Sequence, residues 1–533
     1  MSRCWRSLLL VPALVAAGAV LGGLYGPALP GVSAASSEDD IKNSLRSFSE
    51  IYAVVERNFA ERVSADTAIY DGAIPGMLRT LDPHSSFFDP RDFQQLREEQ
   101  KGAYYGVGMW VVGRGGKTIV VTPFKDSPAY KAGIHPGDVI LEVDDKSTAG
   151  LNTTEVADLL KGPKGTKVTI KIGREGRPDP LVFSITRDEI PRNSVNDAFF
   201  LSEGVAYLDI EQFNENTSKE VEERLSELDE RKIRGLVLDL RDNPGGLLNE
   251  GVAVADRFLS KGQIIVKHRG RTSPEKPYMA RRGNKGQEYP IVVLVNRYSA
   301  SAAEIVAGAL QDHDRAWILG ENTFGKGLVQ TVYPLVENTG LALTTARYYT
   351  PSGRLIQRNY KGKSFFDYYY RGRDGNAPNT DDVKMTDGGR TVYGGGGITP
   401  DEKIEAPKFN GLQKKLLRSY AFFNFSAKYF GTNSTELPAG WEPTREVENQ
   451  FHRYALDQGI QFTEAEWTEN QLWIRQQLKR EMYTTAFSVD EARRIAIESD
   501  PMIAAAVAAM PRARALLDQT KQVIAQRARE REE

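Results

Sequence analysis

Three side chains, Ser301, Lys326 and Gln330, have the types and spacing for acyl-transfer chemistry. A serine hydroxyl needs a base before it can attack an amide. None of the five histidines sits in a suitable motif, and His313, twelve residues after Ser301, reads as surface. A lysine serves if it is neutral. Its ordinary pKa is about 10.4, so work near neutral pH asks for a shift of roughly three units, or about 4 kcal/mol. Burial gives that sign of shift, because it disfavours the charged form. Gly325 and Gly327 flank Lys326 and let backbone pass close by, and Phe324 and Leu328 add apolar cover. Leu328 to Val332 alternates as a strand does, so Lys326 and Gln330 share a face. Gln330 then has the reach to hold the neutral amine without adding charge.

The elements that must position these groups are also visible. Ile291 to Val295 is a short β-branched run of the kind a buried strand shows. After Ser301, the apolar residues Ala302, Ile305, Val306, Ala309 and Leu310 recur at helical spacing. Ser301 therefore falls where a strand ends and a helix begins, beside unsatisfied backbone N–H groups. A plainer role competes: Ser301-Ala-Ala-Glu304 has the form of a capping box. Gly320 to Lys326 also fits the first seven positions of a phosphate-binding loop. That loop needs Ser or Thr next and then a helix, whereas Gly327 and a strand-like run follow.

The two runs resemble the nucleophile and base segments of the C-terminal processing serine peptidases, or tail-specific proteases. That family carries Ser-Ala-Ser-Ala-Ser-Glu, with the middle serine as nucleophile. It also carries Phe-Gly-Lys-Gly-x-x-Gln, whose lysine is the base and whose glutamine supports it. The matching positions are Ser301, Lys326 and Gln330; Ala303 stands where the third serine often stands. The likeness runs from about Ile41 to Glu405. It implies an α/β multidomain fold: an α/β peptidase core with βαβ units, an embedded PDZ domain, and helical N- and C-terminal regions.

At 533 residues the chain is too long for one ordinary core. Its 69 basic and 71 acidic residues balance, so nothing asks for nucleic acid. Five histidines and one cysteine leave little room for a metal cluster, and neither metal nor cofactor is expected. Arg3 and Arg6 precede an apolar run from Leu8 to Leu24, so residues 1–35 read as a signal peptide or an uncleaved membrane anchor. Either puts the body of the protein outside the cytoplasm, in the periplasm or cell envelope. Residues 36–101 read as helices around a loop, Leu81 to Pro90, that resembles a signature of the same family.

Residues 102–188 resemble a PDZ domain. Tyr105, Gly106, Val107, Gly108 and Met109 form its glycine-bearing loop, whose N–H groups suit a peptide carboxylate. Thr153 to Leu160 reads as the groove helix and Lys167 to Ile172 as a strand. Residues 189–405 hold the α/β core, with Gly204 to Ile210, Ser218 to Arg231 and Gly235 to Leu240 as strand, helix and strand. Gly245 and Gly246 follow that second strand, and a Gly-Gly loop there suits an oxyanion hole. In the resembling family this loop and the N–H after the serine share the task, which gives Gly245 or Gly246, and Ala302. Phe365 to Gly397 reads as a long surface excursion, and residues 406–533 as charged helices without nameable chemistry.

The function expected is an exported serine endopeptidase with a Ser-Lys dyad and a PDZ domain that receives substrate C-termini. Partners would be proteins or peptides with free C-termini, with an adaptor or self-association through the helical tail, and membrane contact only through an uncleaved N-terminal segment. The alternative is a non-catalytic PDZ scaffold of the envelope, in which Ser301 only caps its helix. A cap needs neither Lys326 nor Gln330.

Overall fold

The computed structural model describes residues 38–174, 176–371, 379–405, 407–432 and 437–532. The signal-peptide or anchor reading of residues 1–35 lies outside them. Among the described residues, no helix is long and apolar enough to cross a membrane. The chain falls into two units, one ending at Met77 and one running from Leu78. The first contains the helix Glu38–Asn58, which opens on three acidic residues that suit its N-terminal dipole.

In the second unit, a six-stranded sheet runs in the order Ala198–Ser202, Val205–Asp209, Gly235–Asp239, Ile291–Val295, Trp317–Gly320, Glu402–Lys403. The first pair is antiparallel and the rest are parallel. Gly235–Asp239 and Ile291–Val295 are buried at every position, hence their unbroken apolar sequences. Side chains alternate between the faces. Leu236, Leu238, Ile291, Val293 and Val295 meet the helices Thr217–Glu227, Leu248–Asp256 and Ala302–Asp312 on one face. Val237, Val292 and Leu294 meet Met502, Ile503, Ala506, Met510 and Ala513 on the other. The helices Pro501–Ala508 and Met510–Glu532 thus complete the core sandwich, although sequence alone groups them with a separate tail. Gly411–Arg418, Ala421–Thr432, Arg445–Asp457 and Glu464–Ala486 share their own aromatic core around Phe422, Phe425, Phe451 and Trp467.

A second sheet positions the base segment. Gly340–Tyr349 pairs antiparallel with Leu328–Pro334, Ile264–Arg269 and Ser86–Phe88. The stretch read as a loop from Leu81 to Pro90 therefore contains a short strand, which brings its neighbours to the base segment. Met109–Arg114 is the edge strand of a sheet with Lys117–Pro123, Val139–Val143, Lys167–Gly173 and Leu181–Thr186. This sheet and the helix Thr153–Leu160 enclose a core that includes Val120, Ile140, Val156 and Ile170.

Candidate active site

Ser301 stands between strand and helix with φ 52° and ψ −112°. A non-glycine residue pays strain for such backbone, and strained residues of this kind cluster at functional sites. The neighbouring Ser299 is structural: its hydroxyl donates to Leu240 O at 2.7 Å and accepts Asn296 N–H at 2.9 Å.

Glu304 ties the two segments together. It is fully buried in the first turn of the helix. Oε2 accepts Ser301 N–H and Lys326 N–H, each at 2.9 Å. Oε1 accepts the Thr323 hydroxyl at 2.5 Å and Gly325 N–H at 2.7 Å. Burial pushes this carboxyl up, while the four donors pull it down. The Tyr348 hydroxyl, also buried, lies against Ser301 O at 3.1 Å and against Lys326 O. Phe324 N–H adds a bond to Ser299 O at 2.9 Å. The sequence marks Glu304 only as a capping residue, and Tyr348 is one tyrosine among many in a strand.

The Lys326 amine donates to Gln330 Oε1 at 2.8 Å, and Gln330 Nε2 donates to His84 O. Desolvation lowers the Lys326 pKa from its ordinary value; Glu304 and Asp82 oppose the shift. A Cβ on Gly327 would lie 2.9 Å from Gln357 N, so the chain beside the lysine passes only as glycine. A strand, not a helix, follows Lys326, which removes the phosphate-loop reading.

Gly245 packs directly on the serine: a Cβ there would sit 2.6 Å from Ser301 Cβ and 2.7 Å from Ala300 O. Its N–H is already donated to Asn243 Oδ1 at 2.8 Å. Gly246 N–H and Ala302 N–H are not spent on any described protein acceptor. Of the two glycines that sequence leaves open, Gly246 keeps its N–H unspent on the described protein acceptors.

A cavity of about 420 Å³ opens at this place, lined by Lys326, His84, Phe324, Tyr298, Pro244 and Tyr369 among others. Of these six, the sequence names only Lys326 as a site residue. His84 reads in sequence as turn chemistry, and Tyr369 lies in the stretch read as surface excursion. There the turn Asp367–Arg371 buries Tyr368 against His84 and Arg358.

Gly106, Val107, Gly108 and Met109 line a larger cleft of about 3070 Å³ that also reaches Pro244. Gly108 O is taken by the Ser127 hydroxyl at 2.7 Å and Val107 O by Ala129 N–H at 2.8 Å. The Val107 and Gly108 N–H groups are buried and donate to no described protein atom. Tyr105 does not line this cleft; its hydroxyl is 3.2 Å from the Lys101 amine. Among the described residues no group of three His, Cys, Asp or Glu side chains is arranged to hold a metal.

A family model for peptidase family S41 matches residues 204–362, and one for a PDZ domain matches residues 119–174. The carboxy-terminal-processing protease of Bartonella bacilliformis is 40% identical over 326 residues, which span 60% of this chain and 74% of that protein. The carboxy-terminal processing protease CtpB of Bacillus subtilis is 34% identical over 370 residues, 65% of this chain and 75% of that protein. Among solved structures, a photosystem II D1 C-terminal processing protease is 30% identical, with 67% of this chain and 92% of that one covered at a TM-score of 0.36.

Proposed function

The chain belongs to peptidase family S41, the carboxy-terminal processing serine proteases, and we propose that its chemistry runs on a Ser301–Lys326 dyad with Gln330 in support. The observation that carries this is the Glu304 carboxylate, which holds the N–H of Ser301 and the N–H of Lys326 on one oxygen. A helix cap has no use for the second of those bonds.

In this mechanism the neutral Lys326 amine takes the proton as the Ser301 hydroxyl attacks the peptide carbonyl. The developing oxyanion is met by Gly246 N–H and Ala302 N–H. Gln330 Oε1 steadies the amine before and after it takes the proton. The ammonium then returns the proton to the leaving amine, and water repeats the cycle on the acyl-enzyme.

The substrates are proteins and peptides, and their free C-termini bind in the PDZ domain. The terminal carboxylate would take the N–H groups of Val107 and Gly108, while the substrate backbone adds to the open edge of Met109–Arg114. Pro244 lines both that cleft and the cavity at Lys326. Residues 1–35 would export the protein to the periplasm or envelope, as a cleaved signal or a retained anchor. The helical region from Gly411 to Ala486 is the surface for an adaptor or a second copy.

Digestion of an unfolded test protein by the full chain and by Ser301→Ala tests the assignment. The wild-type chain should degrade it and the variant should not, while Ser299→Ala keeps most activity. Undiminished digestion by Ser301→Ala would falsify the nucleophile.

A further inference from the structure

We propose that His84 is a positioning residue for the base: its backbone carbonyl selects the one orientation of the Gln330 amide that leaves the Lys326 lone pair free for Ser301. The inference rests on the Ser301–Lys326–Gln330 reading and deepens it.

A neutral amine offers two N–H donors and one lone pair. With Oε1 towards Nζ, Gln330 accepts an N–H and leaves the lone pair for the serine proton. With the amide turned over, its NH2 would donate into that lone pair and occupy the base. The two ends of an amide have nearly the same shape, so packing cannot choose between them; hydrogen-bond partners do. His84 O is a pure acceptor, and it takes the Nε2 end.

That carbonyl is anchored on both sides of its residue. Asp82 Oδ1 accepts His84 N–H and Ser85 N–H, both at 2.8 Å. The Ser85 hydroxyl donates to Asp82 Oδ2 at 2.8 Å and accepts Thr344 N–H at 3.1 Å. The ring is held as well. Gln357 Nε2 donates to the Tyr368 hydroxyl at 3.1 Å, which frees that hydroxyl to donate to His84 Nε2 at 2.9 Å. The Tyr369 hydroxyl donates to Pro83 O at 3.0 Å and accepts from Nδ1 at 2.9 Å. Every donor in this chain finds an acceptor only if the imidazole is neutral with its proton on Nδ1. Burial, with Lys326 and Arg358 nearby and Asp82 opposing, pushes its pKa down to about 3, so the ring is neutral near pH 7.

The test compares full-length His84→Phe and His84→Gln with wild type and with Lys326→Ala, with kcat normalised to active sites. His84→Phe keeps a ring but loses both ring bonds. We expect kcat to fall by up to about 100-fold, the cost of a catalytic group displaced by about 1 Å. KM should move less than kcat, because the two lost ring bonds go to Tyr368 and Tyr369 and not to substrate. The apparent pKa of kcat/KM should fall, since a loosened amide no longer holds an acceptor against the ammonium. His84→Gln, with one acceptor and one donor, should recover most of the rate. A wild-type kcat and pH profile in His84→Phe overturns the proposal. So does a rate loss in which the apparent pKa rises towards free lysine, because that marks water entry and a plain packing role. Should His84→Phe not fold, Ser85→Ala cuts the two hydroxyl bonds, to Asp82 Oδ2 and from Thr344 N–H; an unchanged kcat there overturns the proposal equally. Activity in Lys326→Ala would instead remove the base reading beneath it, which separates the two failures.

Discussion

Glu304→Gln separates a catalytic clasp from a helix cap. At the third position of a capping box, glutamine serves about as well as glutamate, so a cap alone predicts almost no effect. The clasp predicts a large one. Four donors converge on the buried carboxylate, and the isosteric amide has only one oxygen for them. If its NH2 faces Ser301 and Lys326, two backbone N–H groups are orphaned. If it faces Thr323 and Gly325, the threonine hydroxyl can turn and accept, leaving one orphan. The second arrangement wins, at about 1–3 kcal/mol for the buried N–H, with roughly another 1 kcal/mol from weaker, uncharged bonds elsewhere. Relief of carboxylate burial offsets part of this, so a net loss of about 2–3 kcal/mol is expected. Because the freed bond lies beside Lys326, kcat should fall as well, by up to about 100-fold for a displacement near 1 Å. Thermal unfolding and kcat on an unfolded test protein read both effects. Wild-type stability together with wild-type kcat would refute the clasp.

Other consequences can be checked in parallel. Tyr348→Phe removes the hydroxyl that touches Ser301 O and Lys326 O; it should cost about 1–2 kcal/mol and lower kcat with little change in KM. A peptide with an apolar free C-terminus should be cleaved faster than its amidated twin, and equal rates would take the PDZ domain out of substrate selection. Asp209 is pushed up to about 8 by burial, so the fold keeps a proton that the unfolded chain releases near pH 3.9. Stability from this group therefore falls as pH rises from about 4 to 8, and Asp209→Asn should flatten that slope in unfolding measured across the window.

Elements with a strong local period were legible. Ile291–Val295, the helix after Ser301 and the groove helix Thr153–Leu160 lie where the apolar pattern puts them. So does the parallel pairing of Val205–Asp209 with Gly235–Asp239. What failed depends on contacts distant in sequence. His313 reads as surface, yet it is half-buried between Asp387, 2.7 Å from Nδ1, and Ile264 O, 2.7 Å from Nε2. Tyr368 and Tyr369 sit in a polar, glycine-rich stretch, and only the fold brings them onto His84. The apolar face of Pro501–Ala508 shows that the helix is covered, not that the cover is the central sheet. The bond that takes the Gly245 N–H to Asn243 is likewise one that no pattern encodes.

The central claim is that a neutral Lys326 is the base for Ser301. The direct measurement is kcat/KM against pH from about 5 to 11, for wild type and Lys326→Arg. Desolvation lowers the lysine pKa, so activity should be lost as pH falls through a value below that of free lysine. One rise through such an apparent pKa is expected, with Lys326→Arg inactive throughout because a guanidinium stays charged. A flat profile, or an active Lys326→Arg enzyme, would contradict it.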